Sequence, residues 1–283
     1  MIVMLRKIAP YLLVAPALLL IASLVMGLSS LLGWSFLDGA SGNVASFAQY
    51  ESLLANGSYR HYFSYSLWLA VISTAIALVL GFPVAYYMEV VASPKQRKII
   101  FASLLGIFLS DYVLRMFGLI LILGRSGMVN RVAGWLGIAD GPWKLMYNEF
   151  GVMVGLVAGI LPFMILSLNG VVARLDKRLR EAAALLGSPP WRTFVSITLP
   201  LCIPGILAGT MLSFLLSLNS FVTPMLLGGG RVDMVAVFIF DQAINLANLP
   251  LGSAAALILF LLSAAVIIML NVLGDRYLKR FQR

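Results

Sequence analysis

Six long apolar runs, separated by short polar stretches, set the pattern of this chain. They cover approximately Pro10–Leu32, Tyr62–Met88, Ile99–Leu123, Phe150–Ala173, Pro200–Phe221 and Leu251–Leu273. Each reaches the roughly 20 residues that a helix needs to cross a bilayer. The third is the one that contains charge, at Asp111 and Arg115. Strand-type alternation is absent, which removes a β-barrel. The pattern predicts an all-α integral membrane protein with six transmembrane helices. It divides into an N-terminal anchor helix with an outer segment (1–61), a core of five helices (62–274) and a tail (275–283). The first run follows Arg6 and Lys7, as in a signal peptide, but is longer than the roughly 7–15 apolar residues usual there. It is read as a retained anchor.

Composition agrees. Apolar residues make up 61% and charged residues 11% of the 283, against about 45–50% and about 25% in a soluble domain. So few charges cannot cover a water-facing surface. Fourteen of the 20 Lys and Arg fall before the first run, in 89–98, in 174–199 or after residue 273; five (Arg60, Arg125, Arg131, Lys144 and Arg231) fall opposite. Six acidic residues (Asp38, Glu51, Asp140, Glu149, Asp233 and Asp241) share that opposite side. The bias places both termini and the 89–98 and 174–199 segments in the cytoplasm. The net charge of +9 is therefore a topology signal, and no nucleic-acid partner is expected.

The chemistry available is narrow. A single cysteine (Cys202) excludes an internal disulfide, no Cys/His cluster exists to hold zinc, and the single histidine (His61), outside every run, leaves Ser-His-Asp chemistry nearly excluded. No metal site and no catalytic residue are expected. A GxxxxGK[ST] phosphate loop is also missing, so the chain has no visible means of hydrolysing ATP itself.

The 174–199 loop is the most informative segment. Asp176 to Leu186 are mostly strong helix formers. Leu179, Ala182, Ala183 and Leu186 form an apolar stripe at helical spacing. Gly187 follows where a residue just past a helix end takes positive φ. Ser188 is expected to cap a second helix, with Pro189 at its first position. Two short helices joined by a bend result. An interfacial helix lying on the bilayer explains the arginines equally well, but not the bend.

Glu181-Ala182-Ala183, three residues, Gly187, nine residues, Ile197, one residue and Leu199-Pro200 resemble the EAA loop of binding-protein-dependent ABC importer permeases. The resemblance implies that these seven residues dock in a groove of a cytoplasmic ATPase. Gly124-Arg-Ser-Gly-Met-Val-Asn130, Pro162-Phe-Met-Ile and Phe221-Val-Thr-Pro-Met-Leu-Leu-Gly-Gly-Gly230 are similar to the spermidine/putrescine branch, which also tends to carry an arginine at the place of Arg115. The resemblance implies a type I ABC importer permease (MetI-like) fold in a bacterial inner membrane. It also implies a cytoplasmic ABC ATPase dimer, a second homologous permease completing a heterodimer, and a periplasmic or lipid-anchored substrate-binding protein. ATP and Mg are then expected in the ATPase, with no cofactor in this chain. The implied cargo is a polyamine or related amine, although the branch's acidic residue near Asn219-Ser220 is missing here. An ion-gradient-driven secondary transporter is the competing class, and it leaves the loop without a purpose.

Polar groups inside the runs are the candidate path. Asp111 lies about 18 Å along the third run at 1.5 Å per residue, close to mid-membrane. Asp111 and Arg115 are four apart on one helix face, and two readings stand: an ion pair packed among helices, or charges facing a water-filled path. Asn219, Ser220 and Thr223 are the second group, near the outer end of the fifth run, where Pro224 is expected to break the helix. They could contact cargo or simply satisfy a helix end. Gly151, Gly155 and Gly159 form a face for close helix packing, within the chain or against a partner.

Overall fold

The computed structural model describes residues 2–37, 46–138 and 141–281. Asp38 and Asp140, counted above on the outer side, lie outside the described residues. The described elements are helical: α1 (Ile2–Ser35), α2 (Ala48–Ala55), α3 (Gly57–Tyr86), α4 (Pro94–Leu109), α5 (Tyr112–Leu123), α6 (Met128–Trp135), α7 (Glu149–Val172), α8 (Lys177–Leu185), α9 (Pro190–Thr193), α10 (Leu199–Leu218), α11 (Val222–Leu227), α12 (Val235–Phe240) and α13 (Leu249–Phe281). Single π turns, at Tyr87–Val91, Phe194–Thr198 and Asp241–Asn245, extend α3, join α9 to α10 and extend α12. Residues 275–281 are the last turns of α13.

Among the described residues, six stretches are long and apolar enough to span a membrane: Val14–Ser35, Gly57–Val91, Tyr112–Trp135, Glu149–Val172, Pro190–Leu218 and Leu249–Arg276. The third differs from the expected run of 99–123. The helix stops at Leu109, Ser110 and Asp111 are extended (ψ 144° and 136°), and α5 starts afresh at Tyr112. The cause is local. The Leu114 N–H donates to Asp111 Oδ1 (3.0 Å), so the carboxylate caps α5, and the Ser110 hydroxyl donates to the Ile107 carbonyl (2.6 Å). Short polar side chains compete with the helix for its own backbone groups, and here they win. A carboxylate that would be costly inside a helix in lipid instead satisfies an orphan N–H.

The chain divides into two compact units, Met1–Arg60 with Phe238–Leu261, and His61–Val237 with Leu262–Arg283. In the first, the described side chains of α1 through the membrane are exposed, as suits a lipid-facing anchor. Phe36, Phe47 and Tyr50 pack as an aromatic cluster, and the Tyr50 hydroxyl donates to Ser35 Oγ (2.8 Å).

In the second unit, α7 is the central element. Ala77, Phe82, Met164, Leu168 and Cys202 form one core; Leu69, Met116, Leu156 and Leu227 form another. The glycine face of α7 is consumed within the chain. A Cβ on Gly155 would press on Leu227 and lie 2.6 Å from Thr223 Cγ2, and one on Gly159 would lie 2.8 Å from Tyr112 Cε2. From α10, Gly205 and Gly209 approach α7 at Val171 and Met164 in the same way. Close backbone approach replaces the hydrophobic drive that lipid cannot supply. Gly155→Val is therefore expected to destabilise the unit by about 1–3 kcal/mol through overpacking. A thermal melt in detergent should show a lower midpoint than wild type; an unchanged one would mean that α7 and α11 are loosely packed.

Candidate functional site

Where α4 breaks and α5 begins, a cavity of about 580 Å³ opens. Asp111, Arg115, Asn219 and Ser220 line it, with Tyr112, Gly159 and Phe163 among the other wall residues. Four of the five polar residues singled out in the sequence thus meet at one place, although two helices supply them. The fifth does not. Thr223 is fully buried, held by the Tyr112 hydroxyl at 2.5 Å and the Met116 sulfur at 3.7 Å. It braces the wall from behind.

Of the two readings of Asp111 and Arg115, the ion pair does not form. Asp111 is exposed and occupied in capping. The Arg115 guanidinium lies over the Tyr112 ring, 5.3 Å from its centroid, a cation–π contact. Its Nε and Nη1 are buried with no hydrogen-bond partner. The cavity therefore presents a separated carboxylate and guanidinium. Asn219 donates Nδ2 to the Leu215 carbonyl (2.9 Å), closing its own helix, so the helix break precedes Pro224. Pro224 sits in the first turn of α11 instead, where a missing N–H is harmless. That leaves the Asn219 carbonyl oxygen and the Ser220 hydroxyl for the cavity.

The 174–199 segment folds as a bent elbow. Asp176 caps α8 by accepting from the Arg178 N–H (2.9 Å). Gly187 has φ +75°. Its N–H donates to the Ala184 carbonyl and the Ser188 N–H to the Ala183 carbonyl, both at 3.0 Å. These two bonds make a Schellman motif that satisfies the last carbonyls of α8. The second helix starts one residue later than expected. Pro189 is the cap and Pro190 the first helical residue, because a residue preceding proline is driven out of the helical region. Ser188 Oγ instead accepts from the Thr193 hydroxyl (3.2 Å). From Pro190 the chain runs helically through a π turn into α10, so Ile197, Leu199 and Pro200 lie along a continuous rod. Glu181 and Ala182 are exposed while Ala183 is buried. Leu185 and Leu186, at 90% and 88% exposure, stand out at the bend.

Phe194 is a residue that sequence reading passed over. Its ring meets Phe82 and Tyr86 of α3 edge-on, with centroids 5.6 and 5.4 Å away, and stacks on Trp191. The elbow is thereby joined to the cytoplasmic end of α3. Asn130 is another. It donates Nδ2 to the carbonyls of Gly124 and Trp143 and accepts from the Trp143 N–H (2.8 Å). This clamps the outer turn between α5 and α6, and explains why the 124–130 motif ends in an amide.

The family of binding-protein-dependent transport system inner membrane components matches residues 99–280. The spermidine/putrescine transport system permease protein PotB of Escherichia coli (strain K12) is 35% identical over 195 residues, 69% of this chain and 70% of that protein. The protein of the same name from Haemophilus influenzae is 36% identical over 202 residues, 71% of this chain and 70% of its own. Among solved structures, a bacterial ABC transporter that imports the acidic polysaccharide alginate aligns with a TM-score of 0.79, covering 96% of this chain and 98% of that one. At 17% identity, that likeness concerns the fold.

Proposed function

This chain belongs to the family of binding-protein-dependent transport system inner membrane components, and from that premise we propose how it takes part in import. It is a multi-pass inner membrane protein, the permease subunit of an ABC importer. Its cargo is a small amine-bearing cation, with polyamines in front because relatives at 35–36% identity carry spermidine and putrescine in their names. The cavity at Asp111 and Arg115 is this chain's half of the path, and a second homologous permease supplies the other. Asp111 attracts the amine, while Asn219 and Ser220 offer it oxygen acceptors.

Power comes from a cytoplasmic ATPase dimer that binds ATP and Mg, and a substrate-binding protein delivers cargo at the outer face. Glu181 and Ala182 dock in the ATPase, buried Ala183 packs behind them in place of the expected contact, Gly187 sets the bend, and Ile197, Leu199 and Pro200 carry the motion into α10. Closure of the ATPase pair then rocks the helices between two discrete packings. The observation that carries this reading is the elbow, whose first arm exposes two leucines and a glutamate and whose second arm, from Pro190, runs helically into a spanning helix. Apolar side chains so exposed call for a protein cover.

A cysteine at Leu185, in place of the leucine, tests it. Cys202 is buried and will not compete. In intact cells a thiol cross-linker should join this position to an ATP-hydrolysing subunit, with a yield that changes when nucleotide is trapped. Capture of no ATPase would overturn the docking role and favour a helix resting on lipid.

A further inference from the structure

The cytoplasmic end of the second unit holds another cavity, of about 560 Å³, between the π turn after α3, the first turns of α4, the end of α7 and the start of α8. Its polar wall carries Arg97, Lys98 and Lys177 against a single carboxylate, Glu89. Glu89, with a side chain only 5% exposed, is already paired with Arg97 Nη2 at 2.8 Å. Two ammonium groups are left over. Ser93 and Asp176 cap the starts of α4 and α8 beside it, so the excess positive charge of the cavity is that of its side chains. Asn169 lines it as well, with a buried Oδ1 that has no hydrogen-bond partner. Turned over, the same amide offers its NH₂ to an acceptor oxygen. Met88, Val90 and Phe101 complete the wall with apolar surface. The charge-assigned topology puts this cavity at the cytoplasmic headgroup level, where basic pockets between helices meet anionic lipid.

We propose that this cavity binds the phosphate of an anionic phospholipid, held by Lys98, Lys177 and Arg97, with an acyl chain leaving along Phe101. Glu89 orients Arg97 and keeps the excess charge suited to one phosphodiester. Lys177 is the first residue of α8, so the bound headgroup ties the elbow to the α3–α4 connection. Free phosphate shares the chemistry but has no use for the apolar wall.

The test uses the full chain, purified with its co-expressed partner subunits and reconstituted in phosphatidylethanolamine vesicles with and without phosphatidylglycerol. Native mass spectrometry should detect phosphatidylglycerol retained on this subunit. Lys98→Gln with Lys177→Gln should weaken retention roughly 30-fold, at about 1 kcal/mol per basic residue near an anionic surface. Lys95→Gln removes one positive charge from the first turn of α4 but lies outside the cavity lining, and should weaken retention no more than about fivefold. Equal loss in all variants, or no loss in any, would overturn the site. Displacement of the lipid by millimolar inorganic phosphate would overturn phospholipid as the ligand and assign the cavity to a soluble phosphate.

Discussion

Gly187→Val is expected to cut uptake roughly 5- to 30-fold while leaving ATP hydrolysis by the assembled complex intact or raised. The φ of +75° at this position costs an L-residue about 1–2 kcal/mol, and a β-branched one pays at the upper end or beyond. Nothing stands within 4 Å of a Cβ placed there, so the penalty is one of backbone conformation rather than crowding. That should reduce the correctly bent population roughly 5- to 30-fold. Gly187→Asn supplies the control, since asparagine tolerates the left-handed region: it should retain most uptake. Transport of labelled spermidine into vesicles, measured beside phosphate release, separates the outcomes. Normal uptake by the valine variant would mean that the bend is not needed for coupling. Equal failure of both variants would show that the glycine serves a contact and not a dihedral angle.

Asp111→Asn is the second large effect. Asparagine caps a helix about as well as aspartate, so α5 should start where it does now and the complex should assemble. What disappears is the negative charge on the cavity wall. A unit charge about 4 Å from a cation is worth roughly 1 kcal/mol in bulk water and about 4 kcal/mol near a protein surface. Uptake of an amine should therefore fall at least about tenfold at sub-saturating cargo, chiefly through a raised KM. Asp111→Ala loses the cap as well, about 1 kcal/mol, and should also lower the melting midpoint. Unchanged uptake in the asparagine variant would reduce Asp111 to a capping residue.

Both expectations depend on features with different visibility in the sequence. The bend at Gly187 is legible because a run of helix formers followed by glycine has few other solutions, and the 3.0 Å Schellman bonds confirm the geometry. The spans are legible because lipid enforces long apolar helices. The break at Ser110–Asp111 is not visible to hydropathy, which sums over about 20 residues and cannot register two of them leaving the helix. The cue was nevertheless present, since Ser-Asp ahead of an apolar stretch is a start signal. Counting Asp111 and Arg115 as neighbours on one helix face assumed the continuity that the aspartate itself destroys. The place of Pro189 is likewise hidden, because Pro190 restricts the residue before it. The burial of Thr223 and the cross-wall contact with Tyr112 are tertiary facts, set by how closely glycines let α7 approach its neighbours.

Phe194 determines where the elbow is stiff. Edge-on contacts to Phe82 and Tyr86, one turn apart on α3, brace the start of the rod that continues into α10, so torque applied at the tip passes into α3 and α10 together. Compliance is left to the hinge ahead of it, between Leu186 and Pro189, where two carbonyl bonds and a hydroxyl contact hold the angle. Such a joint behaves as a crank, with its pivot at the glycine and its shaft beyond.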